Sequence, residues 1–351
     1  MTKKAILYLI LTIILIFSLF IIIIIMTSFN PSDETKLSIN NNQVRISDSE
    51  NPITIMTYNI GHGGLDSQRD SYEFGGSNVR ARSEGSIEEN LESIVNTIDN
   101  VNPHVFLLQE IDSNSRRSYN IDQLAYLNSK YPNYGYSYGK NKVIRWLPLP
   151  VTRPLGNIES GIATFSKYNT LESIRYELPG SVSFIDGLFE YNWALTKSRF
   201  ETSTPGDLVV INVKLSAFNH GDFIRERQLE FLRNLIEREY RRGNYVIVGG
   251  DFSHNLPGTD PFNFNYSEEW PAWLKNIPDV FEVDNFSWQI DESSPTFRSL
   301  ANVYKSGESF LAVTDGFLVS DNIEVEAVET LDFDFENSNH NPVVISFKLI
   351  P

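Results

Sequence analysis

The chain contains no cysteine, and this absence excludes disulfide bonds and thiolate metal sites. It is also poor in basic residues, with 29 Lys and Arg against 45 Asp and Glu and a formal charge of -16. Proteins that bind long nucleic acid neutralise phosphates with a basic face, so this balance disfavours long nucleic acid as a partner. It does not exclude a small phosphorylated ligand, which needs only a local pocket, or a metal ion, which an acidic cleft attracts.

Apolar residues, in contrast, are plentiful. They make up 41% of the 351 residues, and aromatic residues make up 13%, which is enough for a packed interior and excludes a disordered chain. No internal repeat is present. The part of the chain beyond about residue 50 is long enough for one large domain or two smaller ones.

The longest uncharged stretch runs from Ala5 to Met26 and includes consecutive isoleucines at 21–25. A helix of this length, rising 1.5 Å per residue, extends about 33 Å and can cross the hydrocarbon core of a bilayer. We therefore expect a transmembrane anchor over residues 5–26. A cleaved signal peptide is the alternative, but the residues after Met26 offer no small-x-small cleavage site.

The basic residues around this stretch predict its orientation. Lys3 and Lys4 precede it, and only the isolated Lys36 follows before Arg45. The positive-inside rule then places residues 1–4 in the cytoplasm and the rest of the chain outside the cell. We expect a single-pass membrane protein, with a polar tether over 27–50 and an extracellular domain over 51–351.

Within this domain, apolar strands alternate with amphipathic helices, which favours α/β layers over an all-β sandwich. Helical spacing of apolar residues predicts helices over 87–98 and 224–240. Two stretches rich in Tyr and Trp, 131–157 and 257–297, are predicted to be long surface loops. Runs of β-branched and apolar residues predict strands at 53–60, 105–108, 160–165, 208–215, 245–248, 317–319, 323–328 and 343–349.

Polar residues stand at the ends of several of these strands. Asn59, Glu110 and Asp251 follow apolar runs directly, Asp315 precedes one, and His340 lies just before the last strand. In layered α/β proteins ligands gather at strand ends, and carboxylate and amide oxygens are hard donors that suit Mg²⁺ or Mn²⁺. Each residue taken alone also fits an ordinary role in a turn, in a helix cap or on the surface.

The motifs around these residues resemble, in order, those of the endonuclease/exonuclease/phosphatase superfamily, and the resemblance covers nearly all of 51–351. This group includes deoxyribonuclease-like, neutral sphingomyelinase-like and inositol polyphosphate phosphatase-like proteins. The resemblance implies a four-layer α/β/β/α sandwich of two mixed sheets and metal-dependent hydrolysis of a phosphate ester. The motifs are Thr57-Tyr58-Asn59-Ile60, Gln109-Glu110-Ile111-Asp112, Ser160-Gly161-Ile162-Ala163, Gly249-Gly250-Asp251-Phe252, Thr314-Asp315-Gly316-Phe317 and Asn339-His340-Asn341-Pro342-Val343.

The resemblance also implies roles for five residues. Glu110 would be the main metal ligand, assisted by Asn59, with Mg²⁺ or Mn²⁺ as the ion. Asp251 would orient or deprotonate the attacking water. His340 would contact the scissile phosphate and take part in acid–base chemistry, and Asp315 would hold its tautomer.

Three positions depart from the superfamily pattern. Lys214 stands where His or Tyr is usual, Ser253 replaces the Asn of the Gly-Asp-x-Asn motif, and Asn339 replaces the Asp before the final His. These changes shift the charge of the pocket by about +2, which lowers its affinity for a divalent cation and raises its affinity for an anion. Lys214, Ser253 and Asn339 are therefore candidate substrate-binding residues, and Arg117 is a fourth.

Three functions remain open on these grounds. The first is a hydrolase with an altered and weakened site, acting on a phosphorylated small molecule or a lipid head group. The second is an inactive relative that binds a phosphorylated ligand or a protein partner at the cell surface. The third is an adhesion module that uses the tryptophans of the two predicted loops.

Overall fold

A computed structural model of the protein describes residues 2–41, 52–180, 192–217 and 223–350. In these ranges the helices are α1 (Lys3–Thr27), α2 (Glu84–Val101), α3 (Gln123–Lys130) and α4 (Phe223–Tyr240). The strands are β1 (Glu34–Lys36), β2 (Ile53–Asn59), β3 (Val105–Asp112), β4 (Gly135–Leu147), β5 (Gly156–Ser166), β6 (Thr170–Glu177), β7 (Ala194–Phe200), β8 (Leu208–Lys214), β9 (Tyr245–Asp251), β10 (Phe286–Gln289), β11 (Phe297–Arg298), β12 (Leu311–Ala312), β13 (Asp315–Ser320), β14 (Ile323–Thr330) and β15 (Val343–Leu349).

Most of the strands belong to two mixed sheets. A seven-stranded sheet has the order β1-β6-β7-β8-β9-β13-β10, and a six-stranded sheet has the order β14-β15-β2-β3-β5-β4. The pairs β2/β3 and β8/β9 are parallel, and the other neighbours in these sheets are antiparallel. Each sheet therefore has one parallel pair near its centre, and β11 and β12 form a separate small ribbon.

The two sheets pack face to face, and each carries helices on its outer side. Ile55 and Leu107 of the six-stranded sheet share one buried cluster with Val210, Ile247 and Phe317 of the seven-stranded sheet. A second cluster joins α2 to the outer face of the six-stranded sheet, and a third joins α4 to the outer face of the seven-stranded sheet. The expected four-layer sandwich of two mixed sheets is therefore confirmed.

The predicted membrane segment is the helix α1. It is slightly longer than the 5–26 span, and in the described residues it is the one helix that is long and apolar enough to cross a membrane. Almost all of its side chains are exposed, and only Ile24, near its C-terminal end, is buried. Side chains of this kind need a surrounding of low polarity, since water hydrates them poorly.

Two expectations about the connecting segments were wrong. Within 131–157, residues 135–147 form β4, which pairs along its length with β5. Tyr136 and Tyr138 are half-buried and alternate along the strand with the buried Ser137 and Gly139, as in a strand with one covered face. Within the tether expected at 27–50, β1 pairs with β6, and Asn40 bridges to Tyr136. Residues 42–50 of that tether lie outside the described residues.

The stretch 257–297 is mostly irregular, as predicted, but its tryptophans are packing residues. Trp270 packs against Phe310, with 5.5 Å between ring centroids, and Trp288 packs against Phe252 at 4.8 Å. This packing removes the main support for an adhesion surface built from these rings.

Candidate active site

The sheet registers bring most of the predicted site residues to one end of the sandwich. Asn59 pairs with Gln109 at the end of the parallel pair β2/β3, so Glu110 comes next to it. In the other sheet, Lys214 and Asp251 pair at the end of β8/β9, and Asp315 pairs with Asp251 across β9/β13. Because the sheets face each other, the ends of the two parallel pairs meet in one cleft.

The local backbone at two of these positions is unusual. Glu110 has a φ of 57°, at the place where the register between β3 and β5 shifts. Gly250 has a φ of 147°, and a Cβ added there would meet Val213 O at 2.1 Å. Only glycine permits this approach of β8 to β9, so Gly250 sets the position from which Asp251 projects.

His340 and Asp315 form the hydrogen bond that the superfamily resemblance implies. His340 Nδ1 donates to Asp315 Oδ2 at 2.7 Å, and the other ring nitrogen, Nε2, lies 3.5 Å from Asp251 Oδ2. Thr314 Oγ1 donates to the same oxygen of Asp315 at 2.9 Å. Burial alone would lower the pKa of His340, but the charges of Asp315 and Asp251 outweigh it and raise the pKa. The imidazolium form is therefore favoured.

Asp251 is the centre of the cleft. Its Oδ2 accepts hydrogen bonds from Lys214 Nζ and, at 2.9 Å, from Asn59 Nδ2. Its Oδ1 accepts from the backbone N–H of Ser253 at 2.7 Å. Burial alone would raise the pKa of Asp251, but the positive charges of Lys214 and His340 outweigh it and lower the pKa. Asp251 is thus ionised and already well supplied with donors.

Lys214 reaches both sheets. Its ammonium also lies 3.5 Å from Glu110 Oε1, and the opposite oxygen of Glu110 lies 3.6 Å from His62 Nδ1. Burial would lower the pKa of Lys214, but Asp251 and Glu110 raise it overall. The same ammonium outweighs the effect of burial on Glu110 and holds the pKa of that carboxyl well below its ordinary value. Both groups are therefore charged, and Lys214 is a cation between two carboxylates.

The other two departures from the superfamily pattern also lie at the cleft. Ser253 donates its hydroxyl to Leu215 O at 2.8 Å and lies 3.2 Å from Asp251 Oδ1, so it braces the strand ends. Asn339 is buried, and its Oδ1 accepts no hydrogen bond from the part of the chain that the structure describes. A buried amide oxygen without a donor favours an ion, a water or a ligand group at that point.

Arg117 is the one predicted site residue that lies outside this cleft. Its guanidinium binds Asp112 in a bidentate pair, at 3.0 and 2.9 Å, and lies 3.7 Å from Glu73. The arginine is buried beside the cleft rather than open to it. The candidate role in substrate binding therefore has no geometric support, because its hydrogen-bonding edge is already used.

The cleft holds a small cavity with apolar walls. Its cavity is about 20 Å³ and is walled by the apolar side chains of Leu65, Phe74, Trp273, Phe297 and Leu300, which is room for about one water molecule. Phe74 and Trp273 meet edge to face, with ring centroids 5.8 Å apart. A phosphate ester is larger than this cavity, so these walls must move before one can enter.

Sequence reasoning missed two kinds of site residue. His62 is not among the residues predicted for the site, but it is buried beside Glu110. The run of glycines around it, directly after the strand that ends at Asn59, was the available signal. Phe74 carried no signal, because its role depends on meeting Trp273 from a distant loop.

The donor atoms on one side of the cleft fit a divalent cation. Asp251, Asp315 and His340 offer ligand atoms that all lie within 4.8 Å of one another. Asp315 Oδ1, like Asn339 Oδ1, is buried and accepts no hydrogen bond from the described residues. Carboxylate and amide oxygens without donors suit a hard cation such as Mg²⁺ or Mn²⁺.

The expected ligand pair Glu110 and Asn59 fits a cation less well. Glu110 Oε1 faces two donors, the Lys214 ammonium and the NH₂ group of Asn59 at 3.3 Å. The amide oxygen of Asn59 is turned away and accepts from Gly61 N at 3.0 Å. Because like charges repel, the Lys214 ammonium weakens the attraction of Glu110 for a metal cation, and it does the same for Asp251, to which it is hydrogen-bonded.

The family assignment follows from a comparison of the sequence with family profiles. The profile described as "Endonuclease/Exonuclease/phosphatase family" matches residues 56–333. The chain belongs to this family. Its members are typically divalent-metal-dependent phosphodiesterases, nucleases or phosphatases, so a hydrolase-type function is supported. The match includes the strand ends that carry Asn59, Glu110, Asp251 and Asp315 and stops before His340.

Solved structures of this family share the fold at low sequence identity. An endonuclease/exonuclease/phosphatase from Beutenbergia cavernae matches with a TM-score of 0.57 and 15% identity, over 86% of this chain and 72% of that chain. The human Nocturnin catalytic domain with bound sulfate anion matches with a TM-score of 0.53 and 16% identity, over 89% and 97% of the chains. D. rerio TDP2 complexed with single strand DNA product matches with a TM-score of 0.53 and 14% identity, over 85% and 100%. A comparison with curated protein sequences finds no significant match.

Proposed function

We propose that this chain is a membrane-anchored phosphoric ester hydrolase with a weakened active site, and that its domain faces the extracytoplasmic side. One observation carries the proposal: Asp251, Asp315 and His340 converge in one cleft at strand ends, with His340 hydrogen-bonded to Asp315. Family membership supports phosphate ester chemistry. Lys3 and Lys4 before the apolar helix support the orientation.

His340, Asp251 and Lys214 then have separate roles in hydrolysis. His340, held by Asp315 and protonated because of its raised pKa, donates a proton to the leaving oxygen. Asp251 orients the attacking water. The ion, Mg²⁺ or Mn²⁺, would be held at the carboxylate of Asp315, whose Oδ1 accepts no hydrogen bond from the described residues, and when bound it would neutralise charge on the phosphoryl oxygens. Lys214 adds a fixed positive charge for the same oxygens.

The weakening follows from the surroundings of Asp251. A carboxylate whose pKa is lowered removes a proton from water less readily, because general base catalysis falls with the strength of the base. Lys214 lowers that pKa and competes with a metal ion for Glu110. Slow turnover is therefore expected rather than the rate of a fully equipped site.

The substrate class is set by size and charge. An acidic domain suits a phosphorylated small molecule or a lipid head group, which needs only a local pocket, better than long nucleic acid. The expected partner is therefore the membrane itself and a compact phosphate ester near it.

A second candidate function is favoured by the position of Lys214. An ammonium between Glu110 and Asp251 already balances the charge that a metal would balance. Under this alternative the chain hydrolyses nothing and binds a phosphorylated ligand or a protein partner at the cell surface.

The two candidates are separated by assaying the full chain in detergent against p-nitrophenyl phosphate and bis-p-nitrophenyl phosphate, with Mg²⁺ and with Mn²⁺. We expect slow turnover of at least one ester, reduced by about 10²–10⁴-fold in His340→Gln. His104→Gln, which changes a histidine outside the cleft, is the matched control. Absence of turnover with both esters and both metals, together with measurable binding of inorganic phosphate, would favour the inactive relative.

A further inference from the structure

The hairpin between β4 and β5 stands out because it contains no acidic residue. Residues 141–158 include Arg145 and Arg153, and the buried Lys142 that pairs with Glu73, but no Asp or Glu, in a chain with a formal charge of -16. Apolar side chains at its tip are open to solvent, with Leu149 exposed by 49% and Val151 by 82%. Exposed apolar residues flanked by basic ones are typical of surfaces that meet a membrane.

Further arginines gather beside this hairpin. Arg116 lies over the ring of Trp146, 5.1 Å from its centroid. Arg80 is close enough to Arg116 and Arg153 that, after the larger effect of burial, both lower the pKa of its guanidinium. Mutual repulsion of this kind costs stability, so a cluster of arginines in an acidic protein implies an anionic partner.

The base of the hairpin is rigid. Ile144 and Leu155, one on each arm, pack with Val79 and Ile158 in a small buried cluster. The tip is therefore presented on a fixed support rather than on a free loop. A rigid support lowers the entropy cost of docking.

Three contacts place the β4 arm of this hairpin beside the chain that leaves the apolar helix. The chain leaving α1 runs antiparallel to β4: Thr27 O accepts from Arg145 Nε at 2.5 Å, and Asn40 and Tyr136 exchange two hydrogen bonds of 2.9 Å. Between these points Asn192 joins Phe29 O to Val143 N, at 3.2 Å each. The direction from Tyr136 to Arg145 is thus the direction from the body of the domain to the helix end.

β4 ends at Leu147, two residues beyond Arg145, and the turn of the hairpin follows. Within that turn Arg153 N donates to Pro150 O and Leu155 N donates to Leu149 O, each at 2.9 Å, so Val151 lies at the tip. The turn of the hairpin therefore begins close to the C-terminal end of α1. In a bilayer that holds α1, the end of this helix lies in the head-group region, where Trp and Arg side chains are favoured.

We propose that the β4–β5 tip, with Arg80, Arg116 and Arg153, docks the domain on the anionic phospholipids of the membrane that holds α1. The inference rests on the membrane anchor of the proposed function but not on catalysis. Leu149 and Val151 enter the head-group layer, and the arginines contact lipid phosphates. The adjacent cleft is then held at a fixed height over the membrane surface.

The absence of cysteine permits a direct test on the full chain. Val151→Cys and, as a control, Val280→Cys, at a position 79% exposed in another loop, each give a single site for a fluorescent label. The labelled proteins are reconstituted in vesicles of phosphatidylcholine, alone or mixed with phosphatidylserine. We expect quenching of the label at 151 by lipid-borne quenchers in the mixed vesicles, and quenching of the label at 280 only by aqueous ones.

A charge series tests the arginines. In the labelled chain, Arg80→Gln with Arg153→Gln should reduce docking in the mixed vesicles by about fivefold per arginine. Arg227→Gln with Arg238→Gln on α4 removes the same charge and should have no effect. Melting curves of both double variants establish that they are folded.

Each remaining outcome has a definite meaning. If the label at 151 is as open to water as the label at 280 while the protein floats with the vesicles, docking is overturned and the anchor stands. If the protein does not float with the vesicles, the anchor fails and docking fails with it. If docking is equal with and without phosphatidylserine, recognition of anionic lipid is overturned.

Discussion

Lys214 and Asp251 are register partners on β8 and β9, and the Lys214 ammonium donates a hydrogen bond to the Asp251 carboxylate. Asp315 is the register partner of Asp251 on the other side. Three neighbouring strands thus deliver a cation and two carboxylates at one level. In this arrangement Lys214 neutralises the charge of Asp251, the carboxylate expected to act on the attacking water. Replacing Lys214 therefore tests directly whether the site is a weakened hydrolase.

The first prediction concerns the three unusual positions together. In Lys214→His/Ser253→Asn/Asn339→Asp we expect tighter Mg²⁺ binding, because an ammonium is removed and a carboxylate is added. Turnover of a phosphodiester should rise by at least about 10²-fold, the usual contribution of one positioned acid–base group. Each single change should gain much less, because such groups act as a unit. Calorimetry and steady-state kinetics measure the two effects.

The same experiment has a clear opposite result. Strong wild-type turnover that the triple change lowers would mean that Lys214 and its neighbours form a different working site rather than a weakened one. Lys197→His, at a buried lysine paired with Glu239, is a control for replacing a buried ammonium elsewhere.

The second prediction concerns the imidazole. Asp315→Asn should lower the pKa of His340, because burial would then outweigh the remaining charge of Asp251. The proton-donating form would be depleted at neutral pH, and turnover should fall by about 10²-fold or more. An NMR titration of the histidine ring measures the pKa directly. The exposed change Asp284→Asn should leave it unaltered, and a pKa equally high in Asp315→Asn would show that Asp315 does not set the charge of His340.

The third prediction concerns stability away from the site. Glu239 is buried on α4 between Lys197 Nζ at 3.0 Å and Arg199 Nη2 at 2.7 Å. Glu239→Gln should lower the free energy of unfolding by about 3–5 kcal/mol, because buried cations lose their counter-charge. Glu237→Gln breaks the exposed pair with Arg241 and should cost about 1 kcal/mol or less. Chemical denaturation in detergent measures both, and equal losses would contradict the prediction.

The pH dependence of this effect has a definite sign. Burial alone would raise the pKa of Glu239, but Lys197 and Arg199 outweigh it and lower the pKa below its ordinary value of 4.5. A carboxylate with a lowered folded-state pKa stabilises the fold above the unfolded value and loses that contribution as the pH falls through the folded value. The difference between wild type and Glu239→Gln should therefore be full at neutral pH and shrink below pH 4.5.

The fourth prediction concerns the aromatic wall of the cleft. Phe74→Ala removes one side of the contact with Trp273 and should open the cavity to larger phosphate esters. We expect KM for a bulky ester to fall, because the closed state no longer competes with binding. Phe262→Ala, an exposed ring in the same loop as Trp273, should leave KM unchanged. A KM that is unaffected by Phe74→Ala would mean that substrate enters by another route.

Much of this protein was readable from its sequence because the relevant signals are local. Apolar runs with strand or helix periodicity predicted β2, β3, β8, β9, α2 and α4, and the polar residues at strand ends are those that meet in the cleft. The apolar helix followed from length and composition alone. In each case a short window of residues contains the whole physical cause, which is burial of one face or of an entire segment.

The tertiary structure decided what depends on register and on distant contacts. No pattern in the neighbouring sequence predicts that the Lys214 ammonium binds Asp251, that Arg117 binds Asp112, or that Phe74 contacts Trp273 at the cleft. The strand pairing of β1 and β4 was missed for the same reason, since neighbouring strands, rather than local periodicity, supplied the partners. A side chain's charge, exposure and partner are set by the elements packed around it, and those elements come together only when the whole chain folds.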